Sequence, residues 1–249
     1  MKLQGKTVLL TGAGGAIGRE TAYCLAEEGA NMVLCDLREE NVQPVAQRIR
    51  EKGGQAITCA FDVRDYQGAL DAVEAGKKAF GRIDILINNA GGSAALIGKI
   101  SSFADSAPET WEFVMGLNVQ GSFHCTHAVL KDMIARKSGK IIFFGSIAGV
   151  GGLPNRADYS AAKGALISFT KALAMEVGRY NIQVNCISPG AIHRDGVPMP
   201  RMTYLGENGN SGDPVHVAKM CLFLASEDAD FITGQNYQVD GGRTLGSRT

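Results

Sequence analysis

The chain has 249 residues, 25 Lys+Arg balanced by 25 Asp+Glu, and 45% hydrophobic residues. A polymer this long and apolar buries a core without help from metal or disulfide, and zero net charge with a pI near 6.9 argues against a nucleic-acid binder. No apolar run reaches the ~18 residues of a membrane span, and Val8-Leu9-Leu10 stops at once in Thr11-Gly12, so neither a membrane segment nor a signal peptide is expected.

In chain order, short apolar runs alternate with longer helical patterns. The strand candidates are Thr7–Leu10, Asn31–Cys35, Gln55–Phe61, Ile83–Asn88, Lys140–Phe144, Ile182–Ile187 and Asn236–Val239. Most are apolar nearly throughout, as strands covered on both faces should be. Between them the spacing predicts helices over Ala16–Glu28, Arg38–Lys52, Gln67–Phe80, Glu109–Arg136, Ser160–Tyr180 and Pro214–Leu224. Gly29, Gly53, Gly81 and Asn181 stand where helix C-caps belong. Strict βαβ alternation implies an α/β fold with a parallel, doubly wound sheet of about seven strands. No linker, repeat or low-complexity tract divides residues 1–249, which points to one domain. The stretches Gly91–Ala107 and Gly190–Asp213 break the rhythm after strands, on the edge where such sheets bind ligands.

The six cysteines (Cys24, Cys35, Cys59, Cys125, Cys186, Cys221) are scattered, without a Cys-x-x-Cys pair, and the four histidines do not complement them at zinc-site spacing. No metal is expected. The thiols read as small buried hydrophobes in a reducing cytoplasm.

The first strand candidate runs into Thr11-Gly12-Ala13-Gly14-Gly15-Ala16-Ile17-Gly18, and a helix follows. Glycines let the chain turn tightly and let a pyrophosphate approach the helix N-terminus, where free N–H groups favour anions. Asp36 closes the second strand, 18 residues past Gly18. A carboxylate there accepts hydrogen bonds from both ribose hydroxyls and repels a 2′-phosphate, which predicts NAD over NADP. Arg38 is the counter-signal, unless it is a solvated residue at the helix start.

Further motifs follow in order. Asn88-Asn89-Ala90-Gly91 comes after strand four, Asn118 lies in the long helical pattern, and Ser146 precedes Tyr159 by 13 residues. Tyr159 and Lys163 form a Y-x-x-x-K, Pro189-Gly190 follows strand six, and Val239-Asp240-Gly241-Gly242 lies near the C-terminus. With the T-G-x-x-x-[G/A]-x-G turn, these residues make the whole chain resemble the compact classical branch of the short-chain dehydrogenases/reductases.

The resemblance implies a Rossmann-type domain and catalytic roles for Asn118, Ser146, Tyr159 and Lys163. It also implies a dinucleotide held first by Gly12, Gly14, Gly15, Ala16, Ile17 and Gly18. Asp36 and Leu37 follow on its path, then Asp62 and Val63 at the adenine edge, then Asn89, Ala90 and Gly91. Tyr159, Lys163, Pro189, Gly190, Ile192 and Arg194 complete the set, the last standing where the family commonly has threonine. Arg194 would grip an anionic substrate or a cofactor phosphate, or else face solvent.

Tyr159 and Lys163 are i and i+4 on a helix, so their side chains share a face. A tyrosine near its reference pKa of ~10 is a poor base at neutral pH, and an adjacent ammonium stabilises its phenolate. Ser146 would orient the substrate oxygen, and Asn118 would hold a water linking Lys163 to solvent. Val197, Met199, Met202, Tyr204 and Leu205 suit a water-excluding lid or a subunit contact. His193 would touch substrate or be structural, while His124 and His127 would pack or face a neighbour. The reading is an NAD-dependent oxidoreductase of a secondary alcohol or ketone, such as a polyol, sugar or hydroxysteroid. Its rivals are an NADPH-dependent 3-oxoacyl-thioester reductase and a non-catalytic NAD-binding regulator. A cytoplasmic homotetramer is expected, with Gln235 to Thr249 resembling the family's assembly segment.

Overall fold

The computed structural model describes residues 1–193, 203–205 and 211–246. Seven strands, β1 Thr7–Thr11, β2 Asn31–Asp36, β3 Gln55–Ala60, β4 Ile85–Asn88, β5 Gly139–Phe144, β6 Ile182–Pro189 and β7 Asn236–Val239, form one parallel sheet in the order β3-β2-β1-β4-β5-β6-β7. Alternate side chains enter opposite cores. Val8 and Leu10 of β1, with Met32 and Leu34 of β2, belong to one core, whereas Leu9, Val33 and Cys35 belong to the other. Because both faces are covered, all five residues of β1 and all eight of β6 are buried. That double burial is why β1 reads as a nearly continuous apolar run, while in β6 the buried Gln183, Asn185 and Ser188 side chains are hydrogen-bonded.

The helices are α1 Ala16–Glu27, α2 Glu39–Glu51, α3 Tyr66–Phe80, α4 Pro108–Met115, α5 Gly121–Arg136, α6 Ile147–Gly151, α7 Ala157–Val177 and α8 Pro214–Ala225. α1, α2 and α8 cover the first core through residues such as Leu25, Val45 and Leu224. α3, α5 and α7 cover the second through Val73, Val129 and Leu173. Gly29, Gly53, Gly81 and Asn181 all take positive φ where helical segments stop. At Gly81, for example, φ is 90° and the N–H reaches the Lys77 carbonyl at 2.7 Å. At the start of α8, Asp213 accepts from the Val215 N–H at 2.8 Å while His216 Nδ1 accepts from the Asp213 N–H, with Pro214 in the first turn.

Two differences from the sequence pattern matter for the site. The segment expected as one helix over Glu109–Arg136 is α4 and α5 joined by a π-helical turn at Gly116–Gln120. The catalytic-pattern helix begins at Ala157, three residues before the expected Ser160, so Tyr159 lies inside it. The short helix α6 after β5 is too brief for its periodicity to be read.

The strand order reverses direction between β1 and β4, the point at which open parallel sheets leave a crevice beyond their carboxyl ends. Thr11, Asp36, Asn88, Phe144 and Pro189 end their strands on that edge.

Candidate active site

The glycine turn after β1 is built for close backbone packing. Gly12 takes φ 64°, and a Cβ there would stand 2.9 Å from the Ala90 Cα. A Cβ on Gly18 would come within 2.1 Å of the Gly12 carbonyl oxygen. Gly15 differs: its added Cβ would meet only the Gly12 oxygen at 3.5 Å. Among the described residues no side chain caps α1 and no acid sits in its first turn. The amides at Ala16, Ile17 and Gly18 therefore begin a helix with its positive end open, and the turn fits a pyrophosphate.

Asn89 braces this turn from β4. Its Nδ2 donates to the carbonyls of Thr11 at 3.0 Å and Gly12 at 2.9 Å, while Thr11 Oγ1 accepts from the N–H groups of Asn89 and Ala90. The Asn89 side chain is thus spent on shaping the cradle. Thr11 is a residue that the sequence reading did not single out for this task, although it opens the T-G motif.

Asp36 turns its carboxylate back to the turn, accepting from the Gly14 N–H at 3.0 Å and from Asn41 Nδ2 at 2.7 Å. Leu37 beside it is exposed. Arg38 lies 65% exposed and pairs with Glu40 at 3.4 Å, which makes it a solvated surface residue. Asp62 is gripped by Arg64, whose guanidinium and backbone N–H hold its carboxyl below the usual range. Val63 is buried against α5, where a Cβ on Gly121 would meet it at 2.5 Å.

Lys163 is 3% exposed and donates from Nζ to the Phe144 carbonyl at 2.7 Å. Burial pulls its pKa down from 10.5 to about 8. Tyr159 lies one turn earlier, with Lys163 Nζ 5.7 Å from its ring centroid. Ser146 ends the strand β5 region as the N-cap of α6, its Oγ accepting from the Ala148 N–H at 3.1 Å. A Cβ on Gly149 would be 2.6 Å from the Gly164 nitrogen. That bare glycine contact seats α6, with Ser146 as its N-cap, directly on the Lys163–Gly164 turn of α7.

Asn118 is fully buried in the π-helical turn. Its Nδ2 donates to the Val114 and Gly92 carbonyls at 2.8 Å each, and its Oδ1 accepts from the Gly92 N–H at 3.0 Å. A side chain inserted into the helix ladder is one cause of such irregular turns, and they gather at functional sites. Gly91, beside Gly92 in the loop after β4, would place a Cβ 2.5 Å from Asn118 Oδ1 and 3.0 Å from Lys163 Nζ. Asn118, Gly91 and Lys163 are therefore one packed unit.

Pro189-Gly190 passes so close to Asp240 that a Gly190 Cβ would meet its Cα at 2.7 Å. The Asp240 carboxylate accepts from the N–H groups of Gly242 and Thr244 at 2.9 Å each. Burial pushes the Asp240 pKa up, but these hydrogen bonds prevail and hold it below the usual value. Ile192 is buried and bridged to Gly212, with the His193 N–H and the Ala191 carbonyl making the two bonds. In a parallel bridge those bonds belong to the flanking residues, so the Ile192 amide faces the other side. Arg194, Val197, Met199 and Met202 lie outside the described residues. Tyr204 and Leu205 rest on the Gly241 carbonyl through their N–H groups. His127 Nδ1 meets Tyr66 Oη at 2.6 Å and His124 Nδ1 meets the Val63 carbonyl oxygen at 3.0 Å, so both pack against the start of α3 rather than the crevice. Among the described residues no group of three or more His, Cys, Asp or Glu is placed to hold a metal, and no helix is long and apolar enough to cross a membrane.

The short chain dehydrogenase family model matches residues 6–199. The chain is 36% identical over 251 residues to the (2S)-[(R)-hydroxy(phenyl)methyl]succinyl-CoA dehydrogenase subunit BbsD of Thauera aromatica, covering 98% of this chain and 99% of that one. It is 34% identical to the 3-oxoacyl-[acyl-carrier-protein] reductase FabG of Thermotoga maritima, covering 98% and 100%. Its structure superposes on NAD+-bound xylitol dehydrogenase with a TM-score of 0.88 at 33% identity, covering 97% and 100%. The chain belongs to the short-chain dehydrogenase/reductase family, and it is an oxidoreductase acting on CH–OH groups.

Proposed function

We propose that the protein uses NAD to interconvert a secondary alcohol and its ketone, with Tyr159 as the proton-transferring residue. The observation that carries this reading is Lys163, an ammonium fully buried under Tyr159 and held by the Phe144 carbonyl. Burying a charge is costly, and a group so placed beside a phenol suits proton chemistry better than packing.

A bound nicotinamide supplies or accepts the hydride. In the oxidative direction the Tyr159 phenolate takes the proton of the substrate hydroxyl, and in the reductive direction the phenol returns it. The Lys163 ammonium stabilises the phenolate across one helical turn. The Ser146 hydroxyl, presented by the turn into α6, hydrogen-bonds the substrate oxygen and orients it. Asn118 holds Gly91 and Gly92 against Lys163, and its carbonyl groups keep lone pairs for a water linking Lys163 to solvent. The turn from Gly12 to Gly18 cradles the pyrophosphate. Asp62 and Val63 border the adenine, and Pro189, Gly190 and the Ile192 amide border the carboxamide.

Support for NAD over NADP comes from Asp36 and Arg38. The carboxylate at the end of β2 repels a 2′-phosphate, and the nearby guanidinium is turned to Glu40. Exposed Phe123 on α5 and Met175 on α7 support assembly through these helices, in keeping with a homotetramer. The test is a panel of secondary alcohols and ketones, polyols and hydroxysteroids included, assayed with NAD(H) and NADP(H) at 340 nm. Turnover with NAD(H) is the expected result; higher kcat/KM with NADP(H) removes the cofactor assignment.

A further inference from the structure

Arg156 is a cation beside the site that the proton-transfer scheme leaves unused. It is the N-cap residue of α7, three residues ahead of Tyr159, and is partly buried. Its Nη1 donates to Ser93 Oγ at 2.8 Å, and among the described residues no carboxylate pairs with it. Asp158, the nearest acid in sequence, instead turns Oδ1 to the Tyr159 N–H at 2.7 Å.

Ser93 stands two residues past Gly91, which packs on Asn118 and Lys163. The Ser93–Arg156 hydrogen bond therefore ties the segment after β4 to the start of α7, the two walls that bracket Tyr159 and Lys163. Exposed Leu96 and Ile97 lie on the first of these walls, and exposed Val150 and Leu153 lie on α6 and the link that leads into the second. A guanidinium carries five N–H donors in a planar fork suited to a carboxylate. Here one neutral hydroxyl takes one of them, on a group that has already given up part of its hydration.

Resting on the oxidoreductase reading above, we propose that Arg156 and Ser93 bind a carboxylate on the substrate. The substrate class is then a hydroxy acid, or the matching oxo acid, whose carboxylate lies a few bonds from the carbinol and whose carbon chain rests on the apolar residues of the two walls. Arg156 is on this view a specificity-determining residue that touches the substrate and takes no part in proton transfer.

Two experiments test it. In the first, wild type, Arg156→Gln and Arg156→Lys are assayed with 3-hydroxybutanoate, 3-hydroxyhexanoate and 4-hydroxypentanoate, each beside its methyl ester. Wild type should prefer acids to esters, and Arg156→Gln should cut that preference about 10-fold to 100-fold through KM, with Arg156→Lys between. Equal loss for acid and ester marks Arg156 as structural and overturns the proposal, with the oxidoreductase reading intact. In the second, calorimetry with saturating NADH compares hexanoate with hexanamide. Binding of hexanoate should weaken in Arg156→Gln while hexanamide does not change; equal affinities in wild type overturn the carboxylate site. Charge-selective binding without turnover of any alcohol leaves the subsite standing and strikes the catalytic reading.

Discussion

Around the glycine turn the site is made of backbone, and around Lys163 it is made of side chains. Gly12, Gly14 and Gly18 sit where an added Cβ would come within 2.9, 2.5 and 2.1 Å of neighbouring atoms. Across the crevice, the groups proposed for chemistry are the hydroxyls of Ser146 and Tyr159, the Lys163 ammonium and the Asn118 amide, carried by three different helical elements. The first region is local in sequence, closed within eight residues and braced by Asn89. The second is assembled over 46 residues, from Asn118 to Lys163. A cradle of amides is damaged by adding atoms, and a proton relay by removing them.

Tyr159→Phe removes a single oxygen from the second region and is expected to have the largest effect. The prediction is a fall in kcat of about 1,000-fold with cofactor affinity little changed, since proton transfer by a positioned side chain contributes roughly 100-fold to 10,000-fold. Steady-state kinetics and NADH fluorescence titration measure the two quantities. Wild-type turnover in this variant would break the comparison, because the relay would not depend on its side chain.

Gly18→Ala adds a single carbon to the first region. Its Cβ meets a backbone carbonyl, which cannot swing aside, so a loss of about 3 kcal/mol in urea unfolding is expected together with weakened dinucleotide binding. A fully stable variant with normal NADH affinity would show that the turn is looser than its contacts imply.

Lys163→Met separates function from stability in the second region. The folded-state pKa of about 8 lies below the usual 10.5, so burial of the charged form opposes folding. The 2.5-unit difference corresponds to a cost of up to about 3 kcal/mol, which is fully present below pH 8 and relieved as pH rises toward 10.5. Wild type should therefore gain stability across that window. Lys163→Met should lose turnover yet match or exceed wild-type stability at pH 7, as chemical denaturation at several pH values reads. A large drop in stability would make Lys163 a structural anchor instead.

Asp36→Ala is expected to have the smallest effect. It removes the charge at the end of β2 and, with it, one hydrogen bond from the Gly14 N–H of the turn, while the Asn89 bonds to the turn remain, so the ratio of kcat/KM for NAD over NADP should fall about tenfold. An unchanged ratio would move the selectivity to another residue.

Legibility in the sequence followed the same division. Most of the seven strands were readable because they are largely apolar, and the helices α1, α2, α3, α7 and α8 because their caps and lengths are locally encoded. The turn from Thr11 to Gly18 and the Tyr159–Lys163 pair were readable because each lies within one element and its flank. The π-helical turn at Gly116–Gln120 was not, because no local propensity marks the extra residue that lets Asn118 reach Gly92. The Gly149–Gly164 contact, the grip of Arg64 on Asp62 and the Arg156–Ser93 hydrogen bond were missed as well. Glycines and charged surface residues occur everywhere in such a chain, and only their spatial neighbours give them meaning.

By itself, then, the amino-acid order determined the alternation of strands and helices, the nucleotide-type turn and the residue types available for proton transfer, because periodicity, capping and short motifs act within a few residues. Tertiary structure alone decided that Lys163 is buried on the Phe144 carbonyl, that Asn118 clasps Gly92, and that Arg156 meets Ser93. Those contacts join residues 19, 26 and 63 positions apart. Packing of the elements on one sheet edge sets such distances, and no local preference encodes them.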